Sequence, residues 1–299
     1  MNGVRAIVRV ISPGSAPTKA SVREMTTTPV YDSATPRAPV ISEIKNLWQH
    51  RELIGVLINR DLTVRYKRST LGMWWTLLNP LLTTLVLWIV FGQFFRFQIP
   101  GVPYVVYLLS GILFITFLMQ ATLASASAIV TNAGILTKVY VPPEVFSFSA
   151  ALAAGANFVI SMIALFVVQL ITETGIPWTV ILTPIPVAAT LALTAGLGLL
   201  VASAAVAFYD VIDLTGVLLQ IVGYLTPTFY PIEIVPAQFL WIIHANPLYS
   251  YLLVFRGFVY EGVFAPGGAF LYMGVTSIGV LILGAWTFSR VWRRLVVVL

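Results

Sequence analysis

The chain has 299 residues, 59% of them hydrophobic and only 9% charged. A soluble domain carries about 25% charged residues, so a water-soluble globular protein is excluded. There is no cysteine, which removes disulfides, thiolate metal ligands and cysteine nucleophiles.

The net charge of +6 is localised: residues 1–68 hold eleven Lys/Arg against five Asp/Glu, whereas residues 69–299 hold six of each. A basic segment bordering a transmembrane helix points to an anionic membrane surface and not to nucleic acid, and it marks the cytoplasmic side. Residues 1–41, rich in Ser, Thr, Pro and Ala, read as a disordered tail. The apolar run from Ile7 to Ile11 is short and contains Arg9, which argues against a signal peptide. An ordinary start follows Met25, so residues 1–24 read as a dispensable extension.

Residues 42–62 predict a helix with Ser42 as N-cap. At 100° per residue, Ile44, Leu47, Trp48, Ile54, Ile58 and Leu62 form an apolar stripe about 120° wide, with Arg51 inside it and forced to snorkel. Such an amphipathic helix belongs in the inner membrane interface. The competing reading is a small soluble helix packed on another element. Residues 42–68 thus make a cytoplasmic interfacial helix and a basic junction.

The junction, RDLTVRYKRSTLGMWWTLLNP at 60–80, sets the orientation. Arg60, Arg65, Lys67 and Arg68 precede a stretch with no charge from Ser69 to Phe95. A basic side chain at mid-bilayer costs roughly 2.5–3.5 kcal/mol on insertion scales, so the chain must enter hydrocarbon just after Arg68. Trp74 and Trp75 suit that boundary.

Residues 69–299 predict six spans: 71–95, 104–129, 146–171, 184–207, 214–229 and 270–289. Both termini then lie in the cytoplasm with Lys138, Arg290, Arg293 and Arg294, and only Arg96 and Arg256 fall outside. Residues 230–268 are too apolar for an aqueous loop and too broken by Pro231, Pro236 and Pro247 for one span. They predict short re-entrant helices on the outer side, buried against the bundle. The expected fold is therefore an all-α integral membrane protein.

No GxxxxGK[ST] phosphate loop occurs, and His50 and His244 fall in different compartments, so no catalytic or metal-ligating residue is expected. No acid falls at mid-membrane, where ion-coupled transporters bury a relay. Gln120, Thr122, Ser125, Ser127, Asn157, Ser161 and Gln169 dot the second and third spans, for helix packing or for a hydrophilic conduit. The aromatics Trp74, Trp75, Phe91, Tyr224, Phe229 and Tyr230 suit interface belts, or stacking on sugar rings along a polymer track.

RDLTVRYKRSTLGMWWTLLNPLL, followed by Phe91–Gly92, resembles the permease subunits of polysaccharide-exporting ABC transporters of the ABC-2 type. That family exports O-antigen, teichoic acid and related lipid-linked glycans, a cell-wall galactan among them. ILTKVYVPPEVF (135–146) resembles its coupling segment, and LTPTFYPIEIVP (225–236) with NPLY (246–249) and FRG (255–257) its outer gate region. The chain departs from the pattern at Tyr209, where the family often carries an arginine before the aspartate.

The resemblance implies a homodimer in the bacterial cytoplasmic membrane with two separately encoded ATPase subunits. These would bind ATP and Mg, leaving this chain without a cofactor. It implies ATPase coupling through residues 133–145, with Leu136, Lys138, Tyr140, Val141, Pro142 and Glu144, and through Asp210. It places Arg60, Arg65, Tyr66, Lys67 and Arg68 where a lipid-linked head group would dock. Residues 133–145 are expected to stand proud of the membrane, stiffened by Pro142 and Pro143. An ABC-2 permease for a small lipophilic compound would share the fold but lack the basic junction and the proline-broken outer segment. A membrane glycosyltransferase would need placed carboxylates, for which Asp210 and Asp213 are the sole candidates.

Overall fold

A computed structural model describes residues 48–67, 70–136, 138 and 141–295. The expected disordered tail, Ile44, Leu47, Arg68 and Tyr140 lie outside those residues. The architecture is helical, and among the described residues the β structure is one isolated bridge, Ile99 to Val102. The helices are α1 (Arg51–Tyr66), α2 (Trp74–Phe94), α3 (Tyr104–Thr131), α4 (Glu144–Ile171), α5 (Pro184–Ala205), α6 (Asp210–Leu225), α7 (Leu240–Ala245), α8 (Pro247–Arg256) and α9 (Gly267–Leu295).

Five of these, α2, α3, α4, α5 and α9, are long and apolar enough to cross a membrane, so the chain is a multi-pass membrane protein. The expected fifth span, 214–229, is displaced and not shortened: helix α6 begins and ends four residues earlier, at Asp210–Leu225. Helix α6 has 16 residues, about 24 Å at 1.5 Å per residue and short of a ~30 Å hydrocarbon core. It stops because Thr226 precedes Pro227, and that position is pushed out of the helical region; its ψ is 135°. Even so, α6 runs antiparallel along α3, with Gly216 beside Leu123, Gly223 beside Ile115 and Thr228 beside Gly111.

Helix α3 is the centre of the bundle, apolar nearly all round and packed on α4 and α5. Lipid tails are as apolar as leucine, so close backbone approach and dispersion hold such helices together. The tightest approach is between α5 and α9. A methyl group built on Gly284 would sit 2.2 Å from the Gly196 carbonyl oxygen, and one on Gly196 would sit 2.6 Å from Leu281 Cα. Gly92 has a similar function in the Phe91–Gly92 pair, since its face meets the rings of Trp88 and Tyr104. There α2 widens into a π-helical turn, Trp88–Phe94.

Helix α1 packs on α4 with a face that only partly overlaps the expected one, sharing Ile54 with it. Leu53, Ile54 and Leu57 join Ala128, Val145, Phe146 and Ala150 in a small core, whereas Trp48 is 71% exposed. The cause is a tether: Arg60 Nη1 donates to Asn132 Oδ1 at the end of α3 (3.1 Å) and Nη2 pairs with Asp61 (2.9 Å), which fixes the rotation of α1. Arg51 stays outside, over the Trp48 ring.

Within the 133–145 segment Gly134, Ile135 and Lys138 are exposed, whereas the later described residues turn inward. After a single turn, Ala133–Leu136, its residues Leu136 and Val141 pack beneath α1, and Pro142, Pro143 and Glu144 are buried. Of the apolar side chains that suggested a projecting knob, Leu136 and Val141 find contacts within the chain, and Tyr140 lies outside the described residues. Glu144 sits in the first turn of α4, where a negative charge suits the helix dipole.

Residues 230–268 form the expected broken helices. Two 3-10 turns, Ile232–Ile234 and Ala237–Phe239, lead into α7 and then α8, which is capped by Asn246 Oδ1 accepting from Leu248 N–H (3.0 Å). Tyr251, Leu252, Val254 and Phe255 on α8 are fully buried against the bundle.

Because the protein has no cysteine, single cysteines report sidedness cleanly. Lys138→Cys and Val263→Cys, both at exposed positions, are expected to react with a membrane-impermeant reagent from opposite sides. Reaction of both from one side would overturn the expected sixth crossing.

Candidate functional site

Two cavities join along the seam between α2 and α3. The first, about 270 Å³, is lined by Arg65 and Tyr66 of α1, by Trp75, Thr76, Asn79 and Thr83 of α2, by Thr116 and Gln120 of α3, and by Asn157 and Ser161 of α4. The second, about 530 Å³, is lined by Thr83, Leu87 and Phe91 of α2, by Ile112, Thr116 and Met119 of α3, and by Gln220, Tyr224, Thr228 and Phe229. Thr83, Ile112 and Thr116 belong to both, so the cavities form one groove from the α1 junction to the end of α6.

The lower mouth is pinned by Tyr66. Its hydroxyl donates to Asn157 Oδ1 (2.5 Å) and accepts from Thr76 Oγ1 (2.6 Å), while Ser161 Oγ donates to the Asn157 and Thr76 carbonyls. This holds the α1–α2 junction to α4 and sets Arg65 at the mouth. Pro80 lies within α2 and Asn79 beside it is exposed to the groove. The groove lining holds no carboxylate. Amides, hydroxyls and aromatic faces of this kind are able to hydrogen-bond to and stack on polyhydroxylated groups without reacting with them.

The structure sorts the expected site residues. Arg65, Tyr66 and Trp75 line the lower cavity, and Lys67 is exposed next to them, whereas Trp74 is exposed elsewhere and Arg60 is engaged by Asn132 and Asp61. Phe91, Tyr224 and Phe229 gather in the upper cavity, Tyr224 and Phe229 with ring centroids 6.2 Å apart. Tyr230 is absent from that lining, its hydroxyl bonded to the Leu225 carbonyl (3.1 Å).

The polar residues of the spans divide in the same way. Gln120, Asn157 and Ser161 line the groove; Thr122 and Ser127 bond the carbonyls four residues back in α3, and Gln169 donates to the Val259 carbonyl. Of the expected coupling residues, Lys138 and Asp210 are exposed, the latter beside exposed Phe208 and Tyr209.

One residue escaped the sequence reading. Arg256, expected only to fall on the outer side, is 5% exposed. Its Nη1 donates to the Pro227 carbonyl (2.8 Å), Nη2 to the Tyr107 carbonyl (3.0 Å) and, at 3.5 Å, to that of Thr228, and Nε to Ser110 Oγ (3.3 Å). The guanidinium carbon lies 3.7 Å from the centroid of the Tyr107 ring. Among the described residues no carboxylate forms a direct ion pair with it, and these oxygens and this ring are its contacts. The Tyr107 hydroxyl is shared between the carbonyls of Pro227 (2.7 Å) and Tyr230 (2.8 Å), and Tyr104 donates to that of Phe229. A buried unsatisfied carbonyl costs about 1–3 kcal/mol, so three side chains make this non-helical stretch tolerable at depth. The signal was legible: an arginine inside the apolar run LLVFRGFVY needs buried partners.

Behind that stretch lies a separate cavity of about 240 Å³, lined by Tyr107, Glu233, Tyr249, Arg256, Tyr260 and Glu261 among others. Burial raises the Tyr260 phenol above its ordinary value, so it stays protonated. Burial also raises the Glu261 carboxyl, against the pull of Arg256.

Residues 52–260 match the ABC-2 type transporter family. Over 221 residues the chain is 27% identical to an O-antigen export system permease protein RfbA of Klebsiella pneumoniae, covering 73% of this chain and 83% of that one. A second Klebsiella pneumoniae protein of that name is 28% identical over the same length. A Myxococcus xanthus protein of that name is 35% identical over 123 residues, 41% of this chain and 46% of its own. With the match spanning both the α1–α2 junction and the Arg256 region, the chain belongs to the ABC-2 type transporter family.

Proposed function

We propose that this chain is the membrane-spanning subunit of an exporter that moves a lipid-linked polysaccharide across the bacterial cytoplasmic membrane. It works as a homodimer, and two separate subunits bind ATP and Mg and hydrolyse ATP. Helix α6 and the stretch after it make the sixth crossing, both termini are cytoplasmic, and residues 230–268 re-enter from the outer side.

One observation carries this reading. The exposed side chains along α4 are apolar, Leu152, Val159, Ile163, Val167 and Leu170, as a lipid-facing surface requires. In contrast Asn79, Thr83, Thr116, Gln120 and Gln220 are exposed at span depth and all line the one groove. Polar groups left against lipid are costly, so this surface faces water or a polar cargo. Arg65 and Lys67 at its mouth suit a pyrophosphate-linked head group, and Phe91, Tyr224 and Phe229 suit sugar faces higher up. The names of the Klebsiella and Myxococcus relatives agree.

The test is deletion of the gene in its own bacterium. Surface glycan is expected to vanish while its lipid-linked form accumulates on the inner leaflet; unchanged surface glycan would overturn the assignment. A biochemical companion is ATP hydrolysis. The purified chain, with no phosphate-binding loop, is expected to be inactive until the partner subunit is added. Hydrolysis in a preparation proven free of that partner would refute the division of labour.

A further inference from the structure

We propose that Arg256, together with Tyr107, is a positioning residue for the outer end of the groove: it clamps residues 227–230 as a wall and thereby sets Phe229 and Tyr224 at the groove's end. This rests on the export reading, but the wall itself is a matter of geometry. The 530 Å³ cavity meets the stretch at Thr228 and Phe229, and the 240 Å³ cavity meets it at Pro227. The two linings share no residue, so the stretch separates the groove from the outer cavity.

Pro227 cannot donate, and the break in α6 leaves the carbonyls of 227–230 without helical partners. Each accepts from Arg256, Tyr107 or Tyr104. Only a planar, delocalised cation donates in several directions at once while lying flat on a ring. A lysine would keep the charge and lose both the fork and the stacking. Gly111 provides the space: a methyl group there would lie 2.7 Å from Thr228 Cγ2 and 2.8 Å from Arg256 Nη2. Cargo in the groove would touch Phe229, not Arg256, which sits behind the wall.

The test uses the full chain in liposomes with a reporter cysteine at Ile112, a buried residue that lines both parts of the groove. A second reporter at Ser277, buried on α9 and absent from the linings of all three cavities, is the control. An impermeant maleimide is added from the outer side, without cargo or ATPase. Arg256→Gln is expected to raise the labelling rate of Ile112→Cys at least about fivefold and leave Ser277→Cys unchanged, as local opening requires. Arg256→Lys should fall between Arg256→Gln and the parent.

Equal acceleration at both reporters would mean that Arg256 only stabilises the fold, and no change at Ile112→Cys would mean that the wall does not depend on it; either overturns the proposal. Should Arg256→Gln fail to fold, Tyr107→Phe removes only the hydroxyl that serves Pro227 and Tyr230, with about twofold acceleration expected at Ile112→Cys alone and none overturning the clamp. The labelling needs no transport, so a wall that opens on mutation while gene deletion leaves surface glycan intact would condemn the export reading and spare this one.

Discussion

Gly284→Ala is expected to be the most destabilising single methyl group that can be added to this protein's span core. The new carbon would stand 2.2 Å from the Gly196 carbonyl oxygen, and backbone atoms cannot rotate away as a side-chain tip can. Helices α5 and α9 would have to separate along their whole contact, losing dispersion between surfaces that have no hydrophobic drive to reclose in lipid. Overpacking costs typically 1–3 kcal/mol where side chains yield, so roughly 3 kcal/mol or more is expected here. The measurement is the thermal midpoint of detergent-solubilised protein followed by size exclusion. Gly274→Ala, on the same helix but with open space at its Cβ, is the matched control and should behave as the parent. Similar midpoints for both variants would mean that the α5–α9 crossing is looser than described.

The second large effect is on transport alone. Thr116 is exposed, belongs to both cavities and lies where they join. Thr116→Trp puts a bulky ring into that neck without disturbing the packed face of α3, so folding should be spared while export falls by roughly tenfold or more. Thr116→Ser keeps the hydroxyl and the width, and should export normally. Surface glycan at parental levels with the tryptophan variant properly inserted would show that cargo takes another route.

How much of this was legible beforehand varies by element. The long spans were, because a charge-free apolar run of span length has few other physical solutions. Their starts and ends came within a few residues, as in 104–129 against Tyr104–Thr131. The fifth, expected at 214–229, lies four residues earlier at Asp210–Leu225, because a residue before proline leaves the helix and Pro227 ends it at Thr226. Of the groove, Tyr66, Trp75, Phe91, Tyr224 and Phe229 were named from their residue types, but nothing in the linear order says that they lie along one seam.

What the sequence determined by itself is the class of protein and the solvent each stretch can tolerate: where lipid must begin after the basic junction, which runs must be helical, and which family motifs stand in register. These follow from transfer energies and local backbone rules, which act residue by residue. What only the tertiary structure decided is which of two apolar faces α1 would bury, where Leu136 and Val141 pack, and what becomes of an arginine in an apolar run. Those outcomes depend on partners distant in the chain. Asn132 turns α1 through Arg60, Leu53 and Leu57 find the same core as Val141, and Arg256 meets Tyr107 and Pro227 across a break that proline makes in another helix. Hydrogen-bond geometry and close packing select such contacts only when the helices have met, so no local pattern could have stated them.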